Sequence, residues 1–291
     1  MKNIYKLLLC LLAAIGSSVV GAAYPERSIR LVVPFATGGT SEIVARSVAS
    51  MLTTSLGQSV YVDNKPGGAG NIAMEEVKRA SPDGYTLMLG HVGTLAVNPA
   101  LFGKKLPYDP NKDFAPVTLV AKVPNVIAVS ERSQYKTLGD LVADAKKNPG
   151  KINYGSAGNG SAGHLAMEYF CSEAGIDLVH VPYKGSGPML KDLIGGQIMM
   201  FNDNEPSILP QIKTGKVRAL AVTKSTRARL FPDVPTIPEA GGPQGYEVMG
   251  IFAVFAPAGT PREAGPALLI PQLAPLAFDQ IIIAGGDEDV T

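Results

Sequence analysis

Two glycine-rich stretches are where this chain can do chemistry. Pro34-Phe35-Ala36-Thr37-Gly38-Gly39-Thr40-Ser41-Glu42 follows an apolar run and leads into a segment with helical spacing. Gly155-Ser156-Ala157-Gly158-Asn159-Gly160-Ser161-Ala162-Gly163-His164 repeats the arrangement further on. Glycine lets a backbone approach a ligand closely, and Thr40 or Ser41 can cap the helix that starts there. The open amides and positive dipole end of a helix start make an anion site. The plainer reading of either loop alone is a strand-to-helix turn that needs glycine for geometry. Two such loops in facing lobes favour a carboxylate or phosphate site. The candidate binding residues are then Phe35, Thr37, Gly38, Gly39, Thr40, Ser41 and Glu42, with Ser156, Ala157, Gly158, Gly160, Ser161 and His164.

Catalytic patterns are thin. Gly158, Gly160 and Gly163 spell GxGxxG, but a dinucleotide fold wants an acidic residue about 20 positions on. That place holds His180-Val181-Pro182-Tyr183-Lys184. No nucleophile elbow, HExxH helix, P-loop or EF-hand loop is present. His91, His164 and His180 lack ligand spacing, so no metal and no cofactor is expected. A Ser161–His164 pair leaves a secreted hydrolase open, without a third partner to orient it. His164 and Glu168 sit one turn apart, as a capped helix start would place them, and Glu42 and Arg46 have the spacing of an exposed helix pair. Cys171 reads as a small buried hydrophobe in a helix. Binding, not catalysis, is the expectation.

These loops need a scaffold, and the pattern supplies an α/β one. Strands are expected at Ser28 to Phe35, Gln58 to Val62, Tyr85 to Leu89, Lys151 to Gly155, Leu178 to Pro182, Gln197 to Phe201 and Val217 to Thr223. Helices are expected from Ser41 to Leu56, Asn71 to Ala80, Thr137 to Lys147, Ser161 to Ala174 and Pro188 to Ile194. Thr137 and Asp140 have the spacing of a capping box with Asp in place of Glu. Val117 to Val129 reads as two apolar runs broken by Pro124, and Tyr246 to Pro257 as a long apolar segment. Alternation at this spacing argues for βαβ units in a mostly parallel sheet.

Composition sets the class. The 291 residues are 46% hydrophobic and 18% charged, with 32 Gly and no Trp, which is globular. At about 150 residues per domain, this length suggests two. Net charge is +1 and becomes −1 once Lys2 and Lys6 are removed, so no basic footprint for nucleic acid exists. Those lysines precede an apolar run, Leu7 to Ile15, and the small residues up to Ala23. This is the layout of a secretory signal cut after Ala22 or Ala23, and it removes Cys10.

Ordered landmarks along the chain resemble the Bug-type solute-binding proteins of tripartite tricarboxylate transporters. They include Leu31-Val32-Val33-Pro34-Phe35 with Gly38-Gly39, Val62-Asp63-Asn64-Lys65-Pro66-Gly67, and Pro82-Asp83-Gly84-Tyr85-Thr86-Leu87. Later come Asn153-Tyr154-Gly155-Ser156, Val181-Pro182-Tyr183-Lys184-Gly185, Gly215 to Val222, Pro232 to Thr236 and Ala256 to Pro261. The resemblance implies a periplasmic Venus-flytrap protein, two α/β lobes of type II-like form joined by crossing strands. It implies a small carboxylate, acidic amino acid or aromatic acid held between the lobes by loops 34–42 and 155–164. Tyr183 and Asp203 are expected on the second lobe's wall. The implied partners are the permease subunits of a tripartite transporter or a sensor protein, with the receptor itself a monomer.

The expected organisation is a signal at 1–23, lobe 1 at 24–122, lobe 2 at 123–243 and a return to lobe 1 at 244–291. Two departures stand out in the first loop, where Thr37 and Glu42 replace the usual Ala and Asp. A third is the tail: from Glu263 the chain matches nothing familiar in the family, as a shifted reading frame or a genuine variant end would give.

Overall fold

A computed structural model describes residues 24–261, so the expected signal and the atypical tail lie outside the described residues. Ile29–Val33 (β1) shows how the first lobe is built. Ile29, Leu31 and Val33 point into one cluster with Val44, Ala45, Val48 and Leu52 of Thr40–Leu56 (α1). Val32 points the other way, to Ala73, Met74 and Val77 of Asn71–Lys78 (α2). A strand covered on both faces must be apolar throughout, as this one is. It pairs in parallel with Val60–Asn64 (β2) and Thr86–His91 (β3). A π-helical turn at Gly93–Val97 and the short helix Asn98–Phe102 (α3) follow.

Phe114–Ser130 (β4) then corrects the reading of two runs broken at Pro124. It is one strand of 17 residues. Up to Pro124, which sits opposite Met249, it pairs antiparallel with Met249–Pro257 (β9). From Asn125 it pairs with Met200–Asn204 (β7) and Val217–Val222 (β8). A residue without an N–H costs little where the ladder changes partners.

The second lobe repeats the first lobe's grammar. Asn153–Ser156 (β5) pairs in parallel with Val179–Pro182 (β6) and with β7. Leu138–Lys147 (α4) opens with the expected capping box: Asp140 N–H donates to Thr137 Oγ1 at 3.1 Å, and Thr137 N–H to Asp140 Oδ2 at 2.9 Å. Ala162–Ala174 (α5) and Ser186–Gly195 (α6) follow. Glu205–Lys213 (α7) was not legible because it contains Pro206 and Pro210. Pro206 falls in the first turn, where an N–H has no partner inside the helix. The strand order is β2-β1-β3-β9-β4-β7-β5-β6, with β8 on β4. The fold is thus α/β and two-lobed.

Thr223 ties the two crossings together. Its hydroxyl accepts from Asn125 N–H at 2.8 Å and donates to Val248 O at 2.6 Å, while Val248 N–H donates to Thr223 O at 3.0 Å.

Candidate ligand-binding cleft

Four helix starts converge on one cavity between the lobes. Lobe 1 brings Gly39, Thr40 and Ser41 at the start of α1. Lobe 2 brings Ser161, Ala162 and Gly163 at the start of α5, Ser186 at that of α6, and Asn204 before α7. The first amides of each helix have no intrahelical acceptor, and the dipoles add a positive end at each. Phe35, Ala36 and His91 complete the wall on one side, and Ala157 and Asp203 on the other.

The lobes are closed on each other. Ala36 N–H donates to Lys184 O at 2.9 Å, and Ser207 N–H to Thr40 Oγ1 at 3.2 Å. Small residues make this approach possible. A methyl group on Gly39 would lie 2.8 Å from Ser186 Oγ, and one on Gly93 would lie 2.5 Å from Gly160 O. The space left open to the centre of a water molecule is about 20 Å³, above the 10–15 Å³ one water needs.

Among the described residues no lysine or arginine lines the cavity. His91 does, and burial pushes its imidazole down to about 4, so it is neutral at pH 7. Its Nδ1 accepts from Gly93 N–H at 3.0 Å, which leaves Nε2 to carry the proton. Among the described residues Asp203 is the one acid in the wall, and burial pushes its pKa up.

Of the residues named from sequence, Phe35, Gly39, Thr40, Ser41, Ala157, Ser161 and Asp203 line the cavity, and the others lie outside it. Glu42 turns away: its Oε2 accepts from Gly38 N–H at 2.7 Å and its Oε1 from Arg46 at 2.6 Å. Gly158 and Tyr183 line a neighbouring groove with Lys184, where the Tyr183 hydroxyl donates to Asp192. Thr37 and Gly38 pack on α6, where Gly187 lies against both, and Gly160 lies against Asn98. Ser156 Oγ sits 2.7 Å from His180 Nε2, and His180 stacks on His164 at 4.0 Å between centroids. Ser156 and His180 are not among the residues that line the cavity. Ser161 Oγ caps α5 by accepting from His164 N–H, while His164 Nδ1 accepts from Gly160 N–H. That imidazole nitrogen is occupied and does not activate Ser161. Cys171 is half-buried with its thiol pushed up to about 12, the state of an inert side chain.

Ala36, Ala162 and Gly163 line the cavity from the two loops expected to hold the ligand, though they were not singled out; His91, Ser186 and Asn204 lie outside those loops and were missed. Ser186 had a signal: Gly185-Ser186-Gly187 repeats the strand–glycine–serine–helix order of the other loops. His91 had none, since the end of a buried strand looks like core.

The model of the tripartite tricarboxylate transporter family receptor matches residues 44–267. This chain belongs to that receptor family. Protein BugT of Bordetella pertussis is 38% identical over 249 residues, 85% of this chain and 76% of that one. An adipate-bound protein of R. palustris is 42% identical with a TM-score of 0.81, covering 84% of this chain and 81% of its own. Malate-bound MatC of Rhodopseudomonas palustris is 33% identical with a TM-score of 0.80, covering 91% and 86%. Family members of this kind are solute-binding receptors. Among the described residues no helix is long and apolar enough to cross a membrane, and no group of His, Cys, Asp or Glu could hold a metal ion.

Proposed function

We propose that this protein binds a small carboxylate in the cleft between its lobes, in the periplasm, and delivers it to the membrane subunits of a tripartite transporter. The observation that carries the reading is the convergence of four helix starts on a cavity that, among the described residues, no lysine or arginine lines. Fixed amides meet a carboxylate by charge-assisted hydrogen bonds, so no arginine is required. Adipate and malate in the related structures support the ligand class. In this reading lobe 1 gives way to lobe 2 near Pro124, and the chain returns near Val248.

The test is a thermal-shift panel on the mature protein with succinate, malate, adipate, citrate, aspartate and benzoate. A ligand at about 100 times its dissociation constant stabilises by about 2.7 kcal/mol, a rise of several degrees. A selective rise with one acid is expected. A cooperative melt that none of the panel moves would overturn the carboxylate reading.

A further inference from the structure

A groove opens beside the cavity, and both lobes line it. Lobe 1 supplies Pro34, Phe35 and the loop 67–70, and lobe 2 supplies 157–159 and 182–184. Its space, taken in the same measure as the cavity's, is about 270 Å³. Phe35 and Ala157 belong to both walls, so the two spaces meet at these apolar side chains.

Lobe 1 gives the groove a floor almost without side chains. Gly67, Gly68, Ala69 and Gly70 all have positive φ, at 128°, 56°, 56° and 87°. Among the described residues Ala69 is the one non-glycine in that region, a strained conformation that persists only where its surroundings hold it. Here they do. Asn98 Nδ2 donates to Ala69 O at 2.9 Å and to Asn71 Oδ1 at 2.7 Å, and Gly70 N–H donates to Gly67 O at 2.9 Å. A methyl group on Gly70 would lie 2.6 Å from Thr94 Cγ2, so the loop lies flush on its own lobe. The floor is fixed by lobe 1 alone, as a largely pre-formed ligand groove requires.

The opposite wall carries the charge. Among the described residues Lys184 is the one charged side chain that lines the groove. Its carbonyl accepts from Ala36 N–H of the other lobe at 2.9 Å, which holds its backbone at the seam while the residue stays exposed. Tyr183 beside it is committed elsewhere, its hydroxyl donating to Asp192 Oδ2 at 2.7 Å. From the helix starts outward the walls thus offer amides, then apolar Phe35 and Ala157, then a groove with one ammonium group.

Resting on the carboxylate reading above, we propose that the ligand is an elongated dicarboxylate. One carboxylate lies at the helix starts, the carbon chain crosses Phe35 and Ala157, and the second carboxylate lies in the groove, where Lys184 selects it. A monocarboxylate of equal length brings only a methyl end to the groove and leaves the ammonium unmatched. Lys184 is then a specificity-determining residue that acts on the far end of the ligand.

Calorimetry on the mature protein tests this with succinate, adipate and suberate against butyrate, hexanoate and octanoate, in the wild type, Lys184→Gln and Lys184→Arg. The wild type is expected to prefer adipate or suberate over the monoacid of equal length. Lys184→Gln is expected to cut that preference about fivefold, the size of an exposed ion pair, and Lys184→Arg to keep it. Both exchanges leave the main-chain bond to Ala36 possible, and a thermal melt of each variant checks that it folds. A preference that survives Lys184→Gln, or none at adipate and suberate in the wild type, would overturn the inference while leaving a carboxylate receptor. Equal loss in Lys184→Arg and Lys184→Gln would assign the effect to shape and overturn it likewise. Binding of another acid of the earlier panel but of none of these six would do the same. Silence across both sets would overturn the receptor reading itself.

Discussion

At the residue scale the site is a matter of what a single methyl group would touch. Gly39 is the N-cap of α1 with φ −114°, a conformation open to any residue, so its glycine is required by space and not by backbone strain. The space is taken by Ser186 Oγ of the other lobe at 2.8 Å from where a Cβ would lie. Gly39→Ala is expected to weaken ligand affinity by about 1–3 kcal/mol, the range for overpacking a close contact. Adding Ser186→Gly should restore much of it, because the offending atom is gone; calorimetry on the double-mutant cycle measures this. Equal loss in the single and double variants would place the effect of Gly39 elsewhere. The same residues show how legible the site was. Gly39, Thr40, Ser41 and Ser161 could be read because a loop and its helix start are neighbours in sequence. His91, Asn204 and Ser186 reach the same cavity from three other elements, and only the pairing of strands brings them there.

At the scale of elements, closure is carried by the starts of α1 and α6. Gly187 packs against the Thr37 carbonyl, which a Cβ would overlap. Gly187→Ala touches neither lobe's apolar clusters, so the ligand-free protein is expected to melt within about 2 °C of the wild type, as substitutions away from the core do. Ligand affinity is expected to fall about tenfold or more, a cost of about 1.4 kcal/mol, because the lobes no longer meet. Small-angle scattering with saturating ligand checks the geometry: a contraction equal to the wild type's would refute the argument. The fold itself was largely legible at this scale, since Thr40–Leu56, Leu138–Lys147 and Ala162–Ala174 carry helical spacing, and Thr137 and Ser161 cap the last two; Thr40 and Ser41 do not cap the first, which starts from Gly39 without a side-chain cap. Two elements were hidden by proline. β4 runs through Pro124 because the ladder changes partner there, and α7 tolerates Pro206 because its first turn has no amide bond to lose. In both, tertiary position overrode a local rule.

At the scale of the molecule, buried imidazoles set the response to acid. Burial pushes His91 and His180 down to about 4 and lowers His164 as well. In the unfolded chain these groups take up protons as pH falls through about 6.5, while in the folded form His91 and His180 stay neutral until about 4 and His164 takes up its proton below its ordinary value. Their stabilising contribution is present above pH 6.5 and is lost on the way down, about 3 kcal/mol for His91 alone. Asp203 has the opposite sign, its raised pKa favouring the fold at low pH and being lost as pH rises. A melting temperature that drops by several degrees between pH 7 and 4.5 is expected in a calorimetric series; a flat profile would contradict the burial of these rings. The strand order carries a different consequence, for how the molecule is made. β9 lies between β3 and β4, yet among the described residues it is the last of nine strands along the chain. When synthesis has passed Val222, the second sheet has all its strands and the first still has a gap in its middle. Two bare edges therefore wait for one late segment, and an unpaired edge is where another chain can attach. The strand that completes lobe 1 also ends its exposure, so the first sheet stays open until the late segment Met249–Pro257 has joined it.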